Sequence, residues 1–157
     1  MHIEKHLITK NYSTAKGRTI AYIVVHDTGN PKKGADALAH VRYFDAAPRG
    51  ASAHYFVDDT GVYELVEQAN VAWHCGDGKG RYGITNQNSI GIELCIHEGN
   101  DMAATYEHAR ALIRSLMAHY HLSKSRVVRH YDASRKICPG HMSGKNWAAW
   151  WGFWESI

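Results

Sequence analysis

The chain has 157 residues, 45% of them hydrophobic and 21% charged, the size and balance of one globular domain around one core. That excludes a long repeat array, two full domains and a disordered chain, and no stretch approaches the roughly 18 uninterrupted apolar residues of a membrane span. The formal charge of +3 is a mild basic excess carried by scattered Lys and Arg, which traces no groove for nucleic acid.

The first residues, Met1-His2-Ile3-Glu4-Lys5-His6, lack the apolar stretch of a signal peptide. His2 and His6 stand four apart, a chelating distance on a helix, but a terminal helix frays and Glu4 falls off their shared face. Residues 19–26 (TIAYIVVH) form a β-branched run ending in the turn formers Asp27-Thr28-Gly29-Asn30-Pro31, which predicts a buried strand delivering His26 to a loop. Residues 34–45 place Leu38, Val41 and Phe44 or Asp45 at helical spacing, and Pro48-Arg49-Gly50 stops that helix. Residues 51–57 and 62–66 flank Asp58-Asp59-Thr60-Gly61, a hairpin signal in which Gly61 is expected to supply a positive φ.

Residues 76–88 hold four glycines among polar side chains without an apolar period, the mark of a long surface loop. Residues 89–96 (SIGIELCI) alternate, with Ile90, Ile92, Leu94 and Ile96 on one face, so Glu93 points away from the aliphatic core. Between residues 101 and 122, Ala109, Leu112, Ile113, Leu116 and Tyr120 follow a helical period, with Asp101 or Thr105 as the N-cap. Residues 126–130 (RVVRH) read as a short strand ending in His130, then a polar loop reaching Cys138-Pro139-Gly140. Trp147, Trp150, Trp151 and Trp154 stand at helical spacing in a final helix at about 145–156, a row that favours packing over sugar stacking.

Twelve histidines are the compositional oddity, and three cysteines at unrelated spacings are an odd count that fits synthesis in a reducing compartment better than a disulfide framework. His119 and His121, two apart on a helix, point in nearly opposite directions and cannot share an ion. His26 and His130 each end a β-rich run and enter a polar loop, where a sheet commonly forms ligand sites. Cys138 lies in a loop and is available as a thiolate, so the three side chains compose a zinc set with the open fourth position of a catalytic site.

The chain resembles the zinc-dependent N-acetylmuramoyl-L-alanine amidases of type 2, a family that includes phage lysins and peptidoglycan recognition proteins. The resemblance runs from about Ile20 to Trp151 and rests on five motifs in order: Ile23-Val24-Val25-His26-Asp27-Thr28, Ser52-Ala53-His54-Tyr55-Phe56-Val57, Ala72-Trp73-His74-Cys75-Gly76, Asn88-Ser89-Ile90-Gly91-Ile92-Glu93, and His130 through Lys136-Ile137-Cys138-Pro139-Gly140. It implies an α/β fold with a central mixed sheet, helices packed on one face and an open zinc cleft on the other. It implies hydrolysis of the amide between N-acetylmuramic acid and L-alanine in bacterial peptidoglycan, with His26, His130 and Cys138 as zinc ligands. Glu93 matches a general base and Lys136 a residue facing the developing oxyanion, while Trp73 and His74 are expected to line the substrate cleft. Some lysins carry a tyrosine where this chain has Ala53, which shifts the burden to Glu93; Cys75 stands where the family often has alanine.

The expectation is one monomeric catalytic domain over residues 1–157, without a separate wall-binding module, a nucleic-acid partner or membrane insertion. Without a leader it would be made in the cytoplasm and reach the wall after phage lysis or secretion. Two rivals differ in class: a non-catalytic peptidoglycan receptor on the same fold, and a structural zinc protein with His54 or His74 as fourth ligand. Asp132, two residues after His130, and His54 are read as supports at most.

Overall fold

The computed structural model describes residues 2–157. A six-stranded mixed sheet is built from β1 (Ile3–Lys5), β3 (Tyr22–Asp27), β4 (Tyr55–Val57), β5 (Val62–Glu64), β7 (Ser89–Leu94) and β8 (Val127–Arg129), in the spatial order β1-β5-β4-β7-β3-β8. The one antiparallel pair is the β4–β5 hairpin, with Val57 opposite Val62; every other neighbour runs parallel. A separate two-stranded ribbon pairs β2 (Tyr12–Ser13) with β6 (Val71–Ala72). The helices are α1 (Ala37–Ala46), α2 (Met102–Tyr120), α3 (His130–Ser134) and α4 (Gly144–Glu155). The fold is therefore mixed α/β with a central sheet, as the motifs imply, and no helix is long and apolar enough to cross a membrane among the described residues.

Alternation along the strands divides the sheet into two faces. Ile23, Val25, Tyr55, Val57, Ile90, Ile92 and Leu94 join Ala109, Leu112, Ile113 and Leu116 of α2 and Trp150 and Phe153 of α4 in the main core. Truncating one of the fully buried members, Leu112→Ala for instance, removes about 2–5 kcal/mol by lost transfer energy and an unfilled cavity. Val24, His26, Phe56, Gly91 and Glu93 face the other way; there α1 lays Leu38, Val41 and Phe44 beside Phe56, and α3 sets Ala133 against Val24. The long helices thus cover one face, while α1 and the short α3 frame an open strip on the other.

Local chemistry fixes the helix starts. Asp36 caps α1 by accepting from Ala39 N at 2.7 Å, and Asp101, not Thr105, caps α2 by accepting from Ala103 N and Ala104 N at 2.8 and 3.2 Å. The hairpin turn has the expected positive φ at Gly61, 158°, and a carboxylate besides. Buried Asp58 accepts from Thr60 N and Gly61 N through Oδ1 and from Ala37 N, at the start of α1, through Oδ2 at 3.0 Å.

Three details differ from the sequence pattern. His2 and His6 flank a strand, not a helix, and His6 bonds Glu4. The stretch after His130 begins as a helical turn, because Asp132 accepts from Arg129 N and from its guanidinium at 2.9 Å. The tryptophan row is broken: Lys145, Asn146 and Trp147 are left-handed, so only Trp150, Trp151 and Trp154 share a regular helix, with Trp150 buried and Trp151 exposed.

Arg18, just before β3, acts as a staple: its guanidinium donates to the carbonyls of Asn70, Asn86, Gln87 and Ser89, joining two loops behind the sheet. His54 lies beside it, fully buried, with Nδ1 accepting from Gly91 N at 3.0 Å and Nε2 3.2 Å from Asn70 O. Burial, then the Arg18 charge, push its pKa down to about 3. The unfolded state therefore binds a proton below about pH 6.5 that the folded state refuses, so stability is full above that pH and falls as the medium is acidified. Denaturant titrations from pH 7 to 4 should show His54→Asn, which keeps an acceptor for Gly91 N, shallower on the acid side by up to about 1.4 kcal/mol per pH unit; identical slopes would clear His54 of that role.

Candidate metal centre

Two parallel ladders assemble the site. β3 carries His26 near its end, and its register with β7 sets Glu93 directly beside His26 on the same face. On the other side β3 pairs with β8, whose next residue, His130, opens α3. Cys138 arrives on the return loop, held by Tyr131 N donating to Cys138 O at 3.1 Å. The sequence placed these three side chains at unrelated positions, and the fold brings them together: their ligand atoms all lie within 4.8 Å of one another, and all three residues are buried.

The donor set fits a metal ion. Cys138 Sγ lies 3.7 Å from His26 Nδ1, and His130 Nδ1 is buried without a hydrogen-bond partner. A buried imidazole nitrogen with nothing to bond, facing a thiol and a second imidazole, is costly unless an ion takes it up. Two nitrogens and one sulfur suit zinc and leave a tetrahedral ion one further position. No other group of potential ligands clusters this way among the described residues, and His54 is occupied by Gly91 and Asn70.

Behind the ligands stand residues that the sequence reading did not pick out for this place. Asp77 Oδ1 accepts from His130 Nε2 at 2.7 Å. His26 Nε2 meets His74 Nδ1 at 3.0 Å, and His74 Nε2 meets Ser89 Oγ at 3.2 Å. Both contacts depend on missing side chains. A Cβ on Gly78 would lie 2.1 Å from Ala133 O, so only glycine lets the loop press on α3 and bring Asp77 to His130. A Cβ on Gly91 would lie 2.5 Å from His74 Cγ, so the imidazole rests directly on the strand backbone. Asp132, by contrast, is taken by Arg129, whose guanidinium lies 4.4 Å from the Trp147 ring.

Burial holds His26 well below the ordinary histidine range, helped by His74, His130 and Lys136, so its ring is neutral at physiological pH. His130 is lowered by burial while Asp77 pulls it upward. The Cys138 thiol is pushed up to about 12 by burial and the Glu93 carboxylate, so without a metal it stays protonated. Glu93 is raised well above the carboxylate range by burial and then by Asp27, with Lys136 opposing, and its Oε2 has no hydrogen-bond partner. Asp27 stays low despite burial because His141 N and Nδ1, at 2.8 and 2.6 Å, and Gly29 N donate to it.

His26, Trp73, His74, Glu93, Lys136 and Cys138 line a cleft of about 170 Å³. Lys136 is exposed at its mouth, and Trp73 is half-buried with Nε1 donating to Ser13 Oγ at 2.9 Å. A groove of about 470 Å³ between the β3–α1 loop and α1 shares Thr28 and Phe44 with the cleft and carries the exposed Lys32 and Lys33. Cys75 sits apart, buried among Val24, Ile84 and Ala133 with its thiol raised to about 12, a core filler away from solvent.

Comparison with known proteins identifies the family. Residues 16–141 match the N-acetylmuramoyl-L-alanine amidase family Amidase_2. N-acetylmuramoyl-L-alanine amidase XlyA of Bacillus subtilis (strain 168) is 42% identical over 121 residues, 77% of this chain and 40% of its own length. N-acetylmuramoyl-L-alanine amidase CwlH of the same organism is 40% identical over 119 residues, 76% of this chain and 47% of its own. The chain thus spans less than half the length of these relatives. Among solved structures, the catalytic domain of XlyA superposes with a TM-score of 0.88 at 36% identity, covering 100% of this chain and 99% of that one.

The Asp77–His130 pair yields a test in the metal-free protein. Because the carboxylate is what supports the proton on a buried imidazole, Asp77→Asn should lower the His130 pKa further. An NMR titration that finds it unchanged or higher would break the pair.

Proposed function

This chain belongs to the type 2 N-acetylmuramoyl-L-alanine amidase family, and on that premise we propose that it is a zinc-dependent hydrolase of bacterial peptidoglycan. The bond cut is the amide joining N-acetylmuramic acid to the first L-alanine of the stem peptide. One observation carries the reading: His26, His130 and Cys138 converge while Glu93, on the strand beside His26, opens into the same cleft as Lys136. A protein that only binds muropeptides needs neither a complete donor trio nor a carboxylate set next to it.

When bound, zinc supplies a Lewis acid that polarises the scissile carbonyl and acidifies water. The residues do the rest. Glu93 takes a proton from the attacking water as its oxygen adds to the carbonyl carbon, then returns that proton to the nitrogen as the C–N bond breaks. Its raised pKa serves both halves: a weak carboxylate is a willing base, and the acid it becomes can protonate the leaving amine. Lys136, at the cleft mouth, faces the carbonyl oxygen as negative charge develops there, a contribution typically worth roughly 10²- to 10³-fold in rate per donor. Trp73 and the groove bearing Lys32 and Lys33 extend the binding surface, with the two ammonium groups suited to stem-peptide carboxylates.

Digestion of purified peptidoglycan tests the reading. New L-alanine amino termini should appear without new reducing sugar ends, and a chelator should abolish them. Binding of muropeptides with no new ends of either kind would favour the receptor instead. Glu93→Gln and Lys136→Ala should each retain zinc and lose at least about 100-fold in kcat; near-full turnover in either variant removes that residue from the catalytic set. Zinc uptake should also displace the Cys138 proton, so zinc affinity should rise about tenfold per pH unit between pH 7 and 8, a slope that Cys138→Ala should erase.

A further inference from the structure

We propose that His74 is a positioning residue for the metal, holding His26 in the one tautomer able to bind it through a directed hydrogen-bond chain that begins at the Thr85 carbonyl. The proposal rests on the zinc reading above and adds a role for residues that do not touch the ion.

The direction follows from which groups can donate. Ser89 Oγ lies within hydrogen-bond distance of Thr85 O, and two oxygens so close repel unless a proton lies between them. A carbonyl has none to give, so the Ser89 hydroxyl donates to Thr85 and spends its single proton. Towards His74 Nε2, at 3.2 Å, Ser89 can then only accept, which places the His74 proton on Nε2. His74 is buried and its two ring partners, Ser89 and His26, include no carboxylate to pair an imidazolium, so the ring is neutral and its Nδ1 is a bare lone pair. That lone pair faces His26 Nε2 at 3.0 Å and requires the His26 proton to sit there. What remains on His26 is an unprotonated Nδ1, the atom 3.7 Å from Cys138 Sγ.

The second imidazole reaches the same state by a shorter route. Asp77 can only accept from His130 Nε2, leaving His130 Nδ1 bare, and that atom is the buried nitrogen without a partner. One ligand is thus set by a carboxylate and the other by a neutral relay. Both offer the same ring atom to the ion. The relay also accounts for glycine at position 91: its bare backbone leaves room for the His74 ring at a place where both nitrogens reach protein partners. With both nitrogens engaged inside the protein, His74 borders the cleft but has no polar atom left for substrate.

Long-range ¹H–¹⁵N NMR on the metal-free full chain reads the tautomers directly. His26 and His74 should both carry the proton on Nε2; a predominant Nδ1–H form of His26 would overturn the proposal without any mutation. Competition with a chromogenic chelator then measures Zn²⁺ affinity. His74→Phe, which preserves the ring against Gly91, should weaken binding roughly 10- to 100-fold, the usual effect of losing a partner behind a metal ligand. His74→Asn, whose amide oxygen can stand in for Nδ1, should recover most of it. A folded His74→Phe chain binding Zn²⁺ within twofold of the parent would also overturn the proposal. Failure of the unmutated chain to bind Zn²⁺ would instead overturn the metal reading itself, so the two failures are distinct.

Discussion

The parallel pairing of β3 with β7 is the constraint on which the rest of the site depends. Its register fixes Ile23, Val25, Ile90, Ile92 and Leu94 on the core side and, by the same alternation, sets His26 next to Glu93 on the other. A slip of one residue in β7 would turn Glu93 into the aliphatic core and expose Ile90 and Ile92. The energy that enforces the chemistry is therefore hydrophobic burial under α2 and α4, on the face opposite the cleft. The backbone positions of His26 and Glu93 are set by that core, and local contacts are left to orient the side chains.

Much of this was legible because it follows short-range rules. The alternation of residues 89–96 announced both a core strand and an outward Glu93, the period over 101–122 announced α2, and the strand-to-loop transitions at His26 and His130 singled out two candidate ligands. What escaped the sequence depends on contacts between distant segments. Asp77 lies in a loop with no periodicity, and its bond to His130 exists because Gly78 permits close approach to α3, which no local pattern encodes. Ser89 looked like the first residue of a strand, and only the fold shows its hydroxyl between Thr85 and His74. The left-handed Trp147 departs from its pattern for a related reason, since a local backbone reversal overrides the helical spacing of the tryptophans.

The polar strip is also electrically economical. Three buried histidines, His26, His54 and His74, are all held neutral, so little charge is sunk into the low-dielectric interior before an ion arrives. Charge is confined to the rim and to hydrogen-bonded carboxylates: Asp77 against His130, Asp27 against His141, and Lys136 at the mouth. Glu93 is the exception, a buried carboxyl with an unsatisfied oxygen, and strain of that kind is what a reacting group requires and a structural one avoids.

The spread of the three ligands along the chain has a mechanical meaning. β8 is a three-residue edge strand that pairs with β3 alone, and it must keep His130 and the Cys138 loop against the sheet. An ion held jointly by His26, His130 and Cys138 fastens that edge to the centre of the sheet like a clasp, closing a loop of roughly 100 residues. A covalent link across a loop of that length is worth about 4–5 kcal/mol in the chain-entropy picture. The same cation that would equip the cleft for chemistry would thereby shut the domain, tying its durability to its readiness to act.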